Sequence, residues 1–173
     1  TGIWLAALAA DVHLTDTYFV VAHFHYIMVG GSVMAYFAAI HFWWPKITGR
    51  LYSEAWARFA AILMFFGFNL TFFPQYLAGF LGMPRRYHSY PPEFEVLNVL
   101  SSAGASVLAV AYLLPVLYLY WSLRRGAAAG PDPWRASGLE WRTASPPPQH
   151  NFDATPRVSG PPYAYTAGGE DEP

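Results

Sequence analysis

Thr17-Tyr18-Phe19-Val20-Val21-Ala22-His23-Phe24-His25-Tyr26-Ile27-Met28-Val29-Gly30-Gly31-Ser32 opens a stretch that reaches residue 45 without an Asp, Glu, Lys or Arg. It is too long for a strand and shows no alternation of period two. Residues 59–84 and 96–123 are equally free of these four types. Each stretch exceeds the roughly 20 apolar residues that cross a bilayer as a helix, the form that satisfies its backbone internally. The reading is therefore all-α and membrane-spanning, with three transmembrane helices. One large soluble core would require polar helix faces, and these stretches lack them.

Composition agrees. Of 173 residues, 54% are hydrophobic and 12% charged, about half the charge of an ordinary soluble domain. Seven Trp, twelve Tyr and thirteen Phe suit a chain with aromatic belts at two membrane interfaces. A net charge of −1 leaves no basic face for nucleic acid. With no Cys, disulfides, zinc–thiolate sites and iron–sulfur clusters are excluded.

Trp43, Trp44 and Pro45 mark the end of the first span, and Ser53-Glu54 has the pattern of a cap for the second. Tyr120 and Trp121 end the third. Lys46, Arg50 and Arg58 then share a side with Arg124 and Arg125, and that basic side is expected to be cytoplasmic. Residues 1–16 read as the end of a preceding helix and a periplasmic loop, residues 17–125 as the transmembrane region, and residues 126–173 as a Pro/Gly-rich cytoplasmic tail. The opening apolar run from Gly2 to Ala10 reads as the end of a helix that starts earlier; a processed mature N-terminus is the alternative.

His23 and His25 are the candidates for chemistry. An ionisable residue at membrane depth is a functional candidate by default. Two positions apart on a helix, they lie about 200° apart and cannot chelate one ion. They can ligate two separate metals, and haem iron held by His suits an apolar setting. The alternative is hydrogen bonding to neighbouring helices. Arg85 and Arg86 fall on the side that topology leaves without need of cations. Paired Arg there suits carboxylates such as haem propionates. His41 reads as interfacial, and His13, His88 and His150 lack metal spacing. Met28 and Met34 read as packing residues, and Gly30-Gly31 as a place of close helix approach.

Residues 16–26, Asp16-Thr17-Tyr18-Phe19-Val20-Val21-Ala22-His23-Phe24-His25-Tyr26, resemble the tenth-helix signature of cytochrome c oxidase subunit I, of the haem–copper terminal oxidases. Leu70-Thr71-Phe72-Phe73-Pro74-Gln75 and Gly82-Met83-Pro84-Arg85-Arg86-Tyr87 resemble the end of its eleventh helix and the next loop. Pro133-Trp134, Leu139-Glu140-Trp141 and Ser145-Pro146-Pro147-Pro148 resemble its C-terminal tail. The resemblance covers nearly the whole chain and implies the last three of about twelve helices. It implies that His23 is the axial ligand of the high-spin haem and His25 one of the two axial ligands of the low-spin haem. Phe24 would lie between the haems, and Arg85 and Arg86 would contact propionates. Copper B and the remaining ligands would belong to earlier helices. Asp16 would help hold magnesium, but Thr15 stands where the family usually has His. Implied partners are membrane lipid, oxidase subunits II and III, cytochrome c and dioxygen; the implied location is a bacterial inner membrane. A quinol oxidase of the same superfamily is the near alternative, a cofactor-free transporter or structural subunit the distant one.

Overall fold

The computed structural model describes residues 1–152 and 154–156. Among them the fold is all-α, with two isolated backbone bridges and no strand. Two short helices come first, α1 (Gly2–Ala6) and α2 (Leu8–Leu14), broken at Ala7, whose ψ of 111° is extended. Then α3 (Tyr18–His25) continues through a π-helical segment (Tyr26–Val33) into α4 (Met34–Thr48). After them come α5 (Glu54–Phe80) and, behind a short 3-10 turn, α6 (Glu95–Arg125).

Three segments are long and apolar enough to cross a membrane: Tyr18–Thr48, Glu54–Phe80 and Pro92–Arg125. Their ends differ from the sequence expectations. Pro45 lies inside α4, which continues to Thr48, and α5 stops at Phe80 while the uncharged run continues to residue 84. Ser53 precedes α5 but its side chain makes no capping hydrogen bond; Glu54 instead pairs with Arg58 at 2.6 Å. Such an i, i+4 pair supports the first turn of the helix but leaves its leading backbone amides without a side-chain cap.

The described residues divide into two compact units. In the first, residues 1–39 and 53–120, α3 and α5 meet backbone to backbone. A Cβ on Gly79 would fall on the backbone nitrogen of Phe19, so only glycine admits this approach. Gly104 of α6 likewise abuts the Thr71 backbone, and Ser101 donates to the Thr71 carbonyl at 2.7 Å. Gln75 donates to Ser101 at 3.0 Å, giving α5 and α6 a polar tie in addition to packing. Phe68, Phe72 and Leu108 form one buried cluster, against which Tyr26, Val29, Met34 and Tyr112 pack. Ala78, Met83 and Phe94 form another at the far end of α5.

The second unit joins residues 40–52 to the described residues from Trp121 onward. It carries little helix beyond α4 and α6, only a 3-10 turn at Leu139–Arg142, yet Trp141 is 2% exposed. Lys46 is buried beside it and donates to the carbonyls of Pro131, Thr143 and Ala144 at 2.8, 2.7 and 3.3 Å. All three ammonium protons are thus used, the condition for burying such a charge. Trp44 donates to Ser122 at 2.7 Å and Trp134 to the Phe42 carbonyl at 2.8 Å.

Candidate haem-binding site

The site begins at a sharp entry into α3. Asp16 has φ 57°, a left-handed conformation that Asp and Asn tolerate better than other side chains. Thr17 then caps the helix, its hydroxyl accepting from the Phe19 amide at 3.2 Å and donating to the Leu14 carbonyl at 2.7 Å. This fixes where α3 starts, and hence the register of the two histidines behind it.

His25 is half-buried, and its Nδ1 is 2.8 Å from the Val21 carbonyl. A carbonyl only accepts, so Nδ1 carries the proton and Nε2 the lone pair, the arrangement a metal-ligating imidazole needs. The ring stacks on Phe72 of α5, centroids 4.4 Å apart and planes 15° apart, with Phe24 at 4.5 Å. His23, one residue before Phe24, has other neighbours. Its Nδ1 is 2.8 Å from the Thr1 hydroxyl, which accepts from Tyr76 at 3.1 Å. The Thr1 hydroxyl can donate to Nδ1 or accept from it, so this contact does not fix the tautomer of His23. The Gly2 backbone flanks this ring so closely that a Cβ there would be 3.3 Å from Cε1.

The helix does not continue in α form after His25. Tyr26–Val33 is π-helical, a rare conformation over eight residues and one frequent at functional sites. Sequence periodicity gave no sign of it. Gly30 lies within it, and a Cβ there would be 2.9 Å from Phe68 Cζ, while a Cβ on Gly31 would meet nothing within 4 Å among the described residues. The expectation of close approach at the pair therefore applies to Gly30 alone. Met34 packs on the Phe68–Phe72–Leu108 cluster, but Met28 is exposed, so its reading as a packing residue is not met within this chain.

Arg85 reaches this end of α3 through the loop after α5. The Tyr18 amide donates to the Met83 carbonyl and the Arg85 amide to the Asp16 carbonyl, both at 2.9 Å, around a bridge between Thr17 and Pro84. The Arg85 side chain donates to Asp16 Oδ1 from Nε at 2.8 Å and from Nη2 at 2.5 Å. Arg86 is exposed, with φ 60°. The arginine loop thus meets Asp16 at the entry of α3, while His23 and His25 lie further along the same helix. His41 lies elsewhere, edge-on to Tyr52 at 5.1 Å. His13 lines a shallow cleft with Trp4, Ala10, Leu14 and Phe80, and His88 and His150 are exposed.

A family model for cytochrome c and quinol oxidase polypeptide I matches residues 1–107. The chain belongs to this oxidase family. It is 47% identical to cytochrome c oxidase subunit 1 of Synechocystis over 95% of its length, which is 30% of that relative. The corresponding protein of Bacillus subtilis is 45% identical over 92% of the chain and 26% of its own length. A haem-copper oxidase subunit I+III of Aeropyrum pernix is 45% identical over 91% of the chain and 19% of its own length. The chain therefore spans less than a third of these relatives, and with its three long apolar helices it is an integral membrane protein.

The family implies haem and copper, and the donor set fits the first. His25 offers Nε2 from a ring held at Nδ1, and the exposed apolar ring of Phe24 lies 4.5 Å from it. Copper does not fit: among the described residues no three His, Cys, Asp or Glu gather as a metal site. The same holds for magnesium, for which Asp16 has one oxygen committed to Arg85 and Thr15 supplies only a hydroxyl.

Proposed function

We propose that this chain is the C-terminal part of the catalytic subunit of a cytochrome c oxidase, which passes electrons from cytochrome c to dioxygen, forms water and couples this to proton translocation. In that reading His23 is the axial ligand of the high-spin haem, where oxygen is reduced, and His25 an axial ligand of the low-spin haem. The observation that carries it is the Nδ1 hydrogen bond from His25 to the Val21 carbonyl, which presents a basic Nε2. Bound haems supply one-electron transfer and oxygen chemistry, which no side chain here could provide.

The residues of this chain hold and orient. Val21 fixes the tautomer of His25 and Phe72 fixes its ring plane. Thr1 holds His23 at Nδ1. Phe24, between the two ligands in sequence, would lie between their haems. Arg85 and Arg86 offer cations to the propionates, where guanidinium forks suit carboxylates. Copper B and oxidase subunits II and III belong to the complete assembly, in membrane lipid, and magnesium at Asp16 would need further ligands from outside this chain. Arg124 and Arg125 at the end of α6 support a cytoplasmic C-terminus in a bacterial plasma membrane. The names of the Synechocystis and Bacillus relatives favour cytochrome c over quinol as donor.

The test is a reduced-minus-oxidised optical spectrum of the complete complex, with and without carbon monoxide. His23→Ala is expected to remove the carbon monoxide-binding haem and His25→Ala the other. Equal loss of both signals from either variant, with the subunit still assembled, would overturn the assignment.

A further inference from the structure

Asp16 and Arg85 are 69 residues apart in sequence and joined three times: by Nε and Nη2 of the guanidinium on Oδ1, and by the Arg85 amide on the Asp16 carbonyl. The pair is lopsided. The Asp16 side chain is 73% exposed and that of Arg85 27%. An ion pair so open to solvent contributes little to stability, yet Asp16 holds it from a left-handed backbone that most residues disfavour. Both arginine contacts fall on a single oxygen and use one edge of the fork. A guanidinium has five donors, so Nη1 stays available to a second anion. Arg86, next in the chain and exposed, makes no such contact with Asp16.

We infer that Asp16 is a positioning residue: its carboxylate holds Arg85 in the orientation in which Nη1 meets a haem propionate, and this, rather than cation binding, is its role. The inference rests on the propionate role proposed for Arg85. The sign of its effect separates positioning from plain charge. Removing a carboxylate near a haem raises the midpoint potential, because reduction adds negative charge. Releasing the guanidinium from the propionate lowers it. Asp16 is well solvated and its charge is screened, so release dominates.

The experiment is a spectroelectrochemical titration of the haems in the complete oxidase carrying Asp16→Asn, Arg85→Gln or both. Asn keeps the shape and tolerates the backbone at residue 16; Asp16→Gly, which tolerates it too, takes its place if the first variant does not assemble. The expected result is a lowered potential in each single variant, with both haems still present, and no further change when the Asp16 substitution is added to Arg85→Gln. A raised or unshifted potential in the Asp16 variant would overturn the inference, as would a full additional shift in the double variant. An unshifted potential in Arg85→Gln alone, with haem retained, would remove the propionate role itself and this inference with it.

Discussion

The imidazole of His25 and the ring of Phe72 lie face to face, 4.4 Å between centroids and 15° between planes, across the contact of α3 with α5. Phe72 is also buried with Phe68 and Leu108. It therefore does two jobs, filling the core and setting the plane of the imidazole.

These jobs can be separated by substitution. Phe72→Leu keeps apolar volume and is expected to cost about 1 kcal/mol, while Phe72→Ala leaves a cavity and costs about 3–4 kcal/mol. Both remove the stacked ring, so both are expected to broaden or shift the low-spin haem band in the assembled oxidase. Thermal unfolding reads the first effect and the reduced optical spectrum the second. A low-spin band unchanged in Phe72→Leu would show that Val21 alone orients His25.

Gly79 is expected to be intolerant. Its missing Cβ is the space in which the Phe19 backbone sits, and backbone cannot swing aside as a side chain does. Gly79→Ala must push α3 from α5 and move both histidines with it. A loss of about 2–3 kcal/mol or more and reduced haem content per subunit are expected. Haem-to-protein ratio after purification is the measurement, and full occupancy would contradict the contact.

Within the π-helical segment the two adjacent glycines should behave differently. Gly30→Ala places a methyl 2.9 Å from Phe68 Cζ, the far end of a side chain that can yield, so about 1 kcal/mol of destabilisation is expected. Gly31→Ala meets nothing within 4 Å among the described residues. Removing backbone freedom there is expected to be neutral or stabilising by up to about 1 kcal/mol. Thermal unfolding of the solubilised oxidase compares them, and equal losses would mean that another helix of the complex covers Gly31.

The spans were legible because charge is excluded from lipid, and three uncharged runs announce this directly. Their ends were less legible. Trp43-Trp44-Pro45 looked like a boundary, but proline removes one hydrogen bond without forbidding the next turn, and α4 continues to Thr48. The π-helical turn left no trace because a change of period within eight residues is too brief to show in an all-apolar sequence. His23, His25 and Arg85 were visible as unusual residues at membrane depth or in a loop, and Asp16 only through the family resemblance. Their partners were not. The Val21 carbonyl is a backbone group that no side-chain pattern marks, and the approach of Asp16 to Arg85 depends on how α5 returns to the start of α3. The role of Lys46 was hidden for the same reason: composition presents it as one more basic residue beside the membrane, whereas its partners are three carbonyls far along the chain.

Lys46 gives the last prediction. Its ammonium lies 5.2 Å from the centre of the buried Trp141 ring and spends its three N–H donors on three carbonyls. Lys46→Met keeps the length of the side chain and removes every donor, leaving the carbonyls of Pro131, Thr143 and Ala144 without this partner. An acceptor left unsatisfied costs about 1–3 kcal/mol when fully buried and less where water can enter, and these three carbonyls are only partly buried. A net loss on the order of 3 kcal/mol is expected, localised to the segment around residues 131–144. Lys46→Arg should recover little, since a planar fork cannot direct three bonds from one nitrogen. Amide hydrogen exchange is the measurement: faster exchange at Trp141, whose amide donates to the Gly138 carbonyl at 3.0 Å, is expected with α3 and α5 unaffected. Unchanged exchange at Trp141 would mean that aromatic packing with Phe42, rather than the ammonium, holds this segment in place.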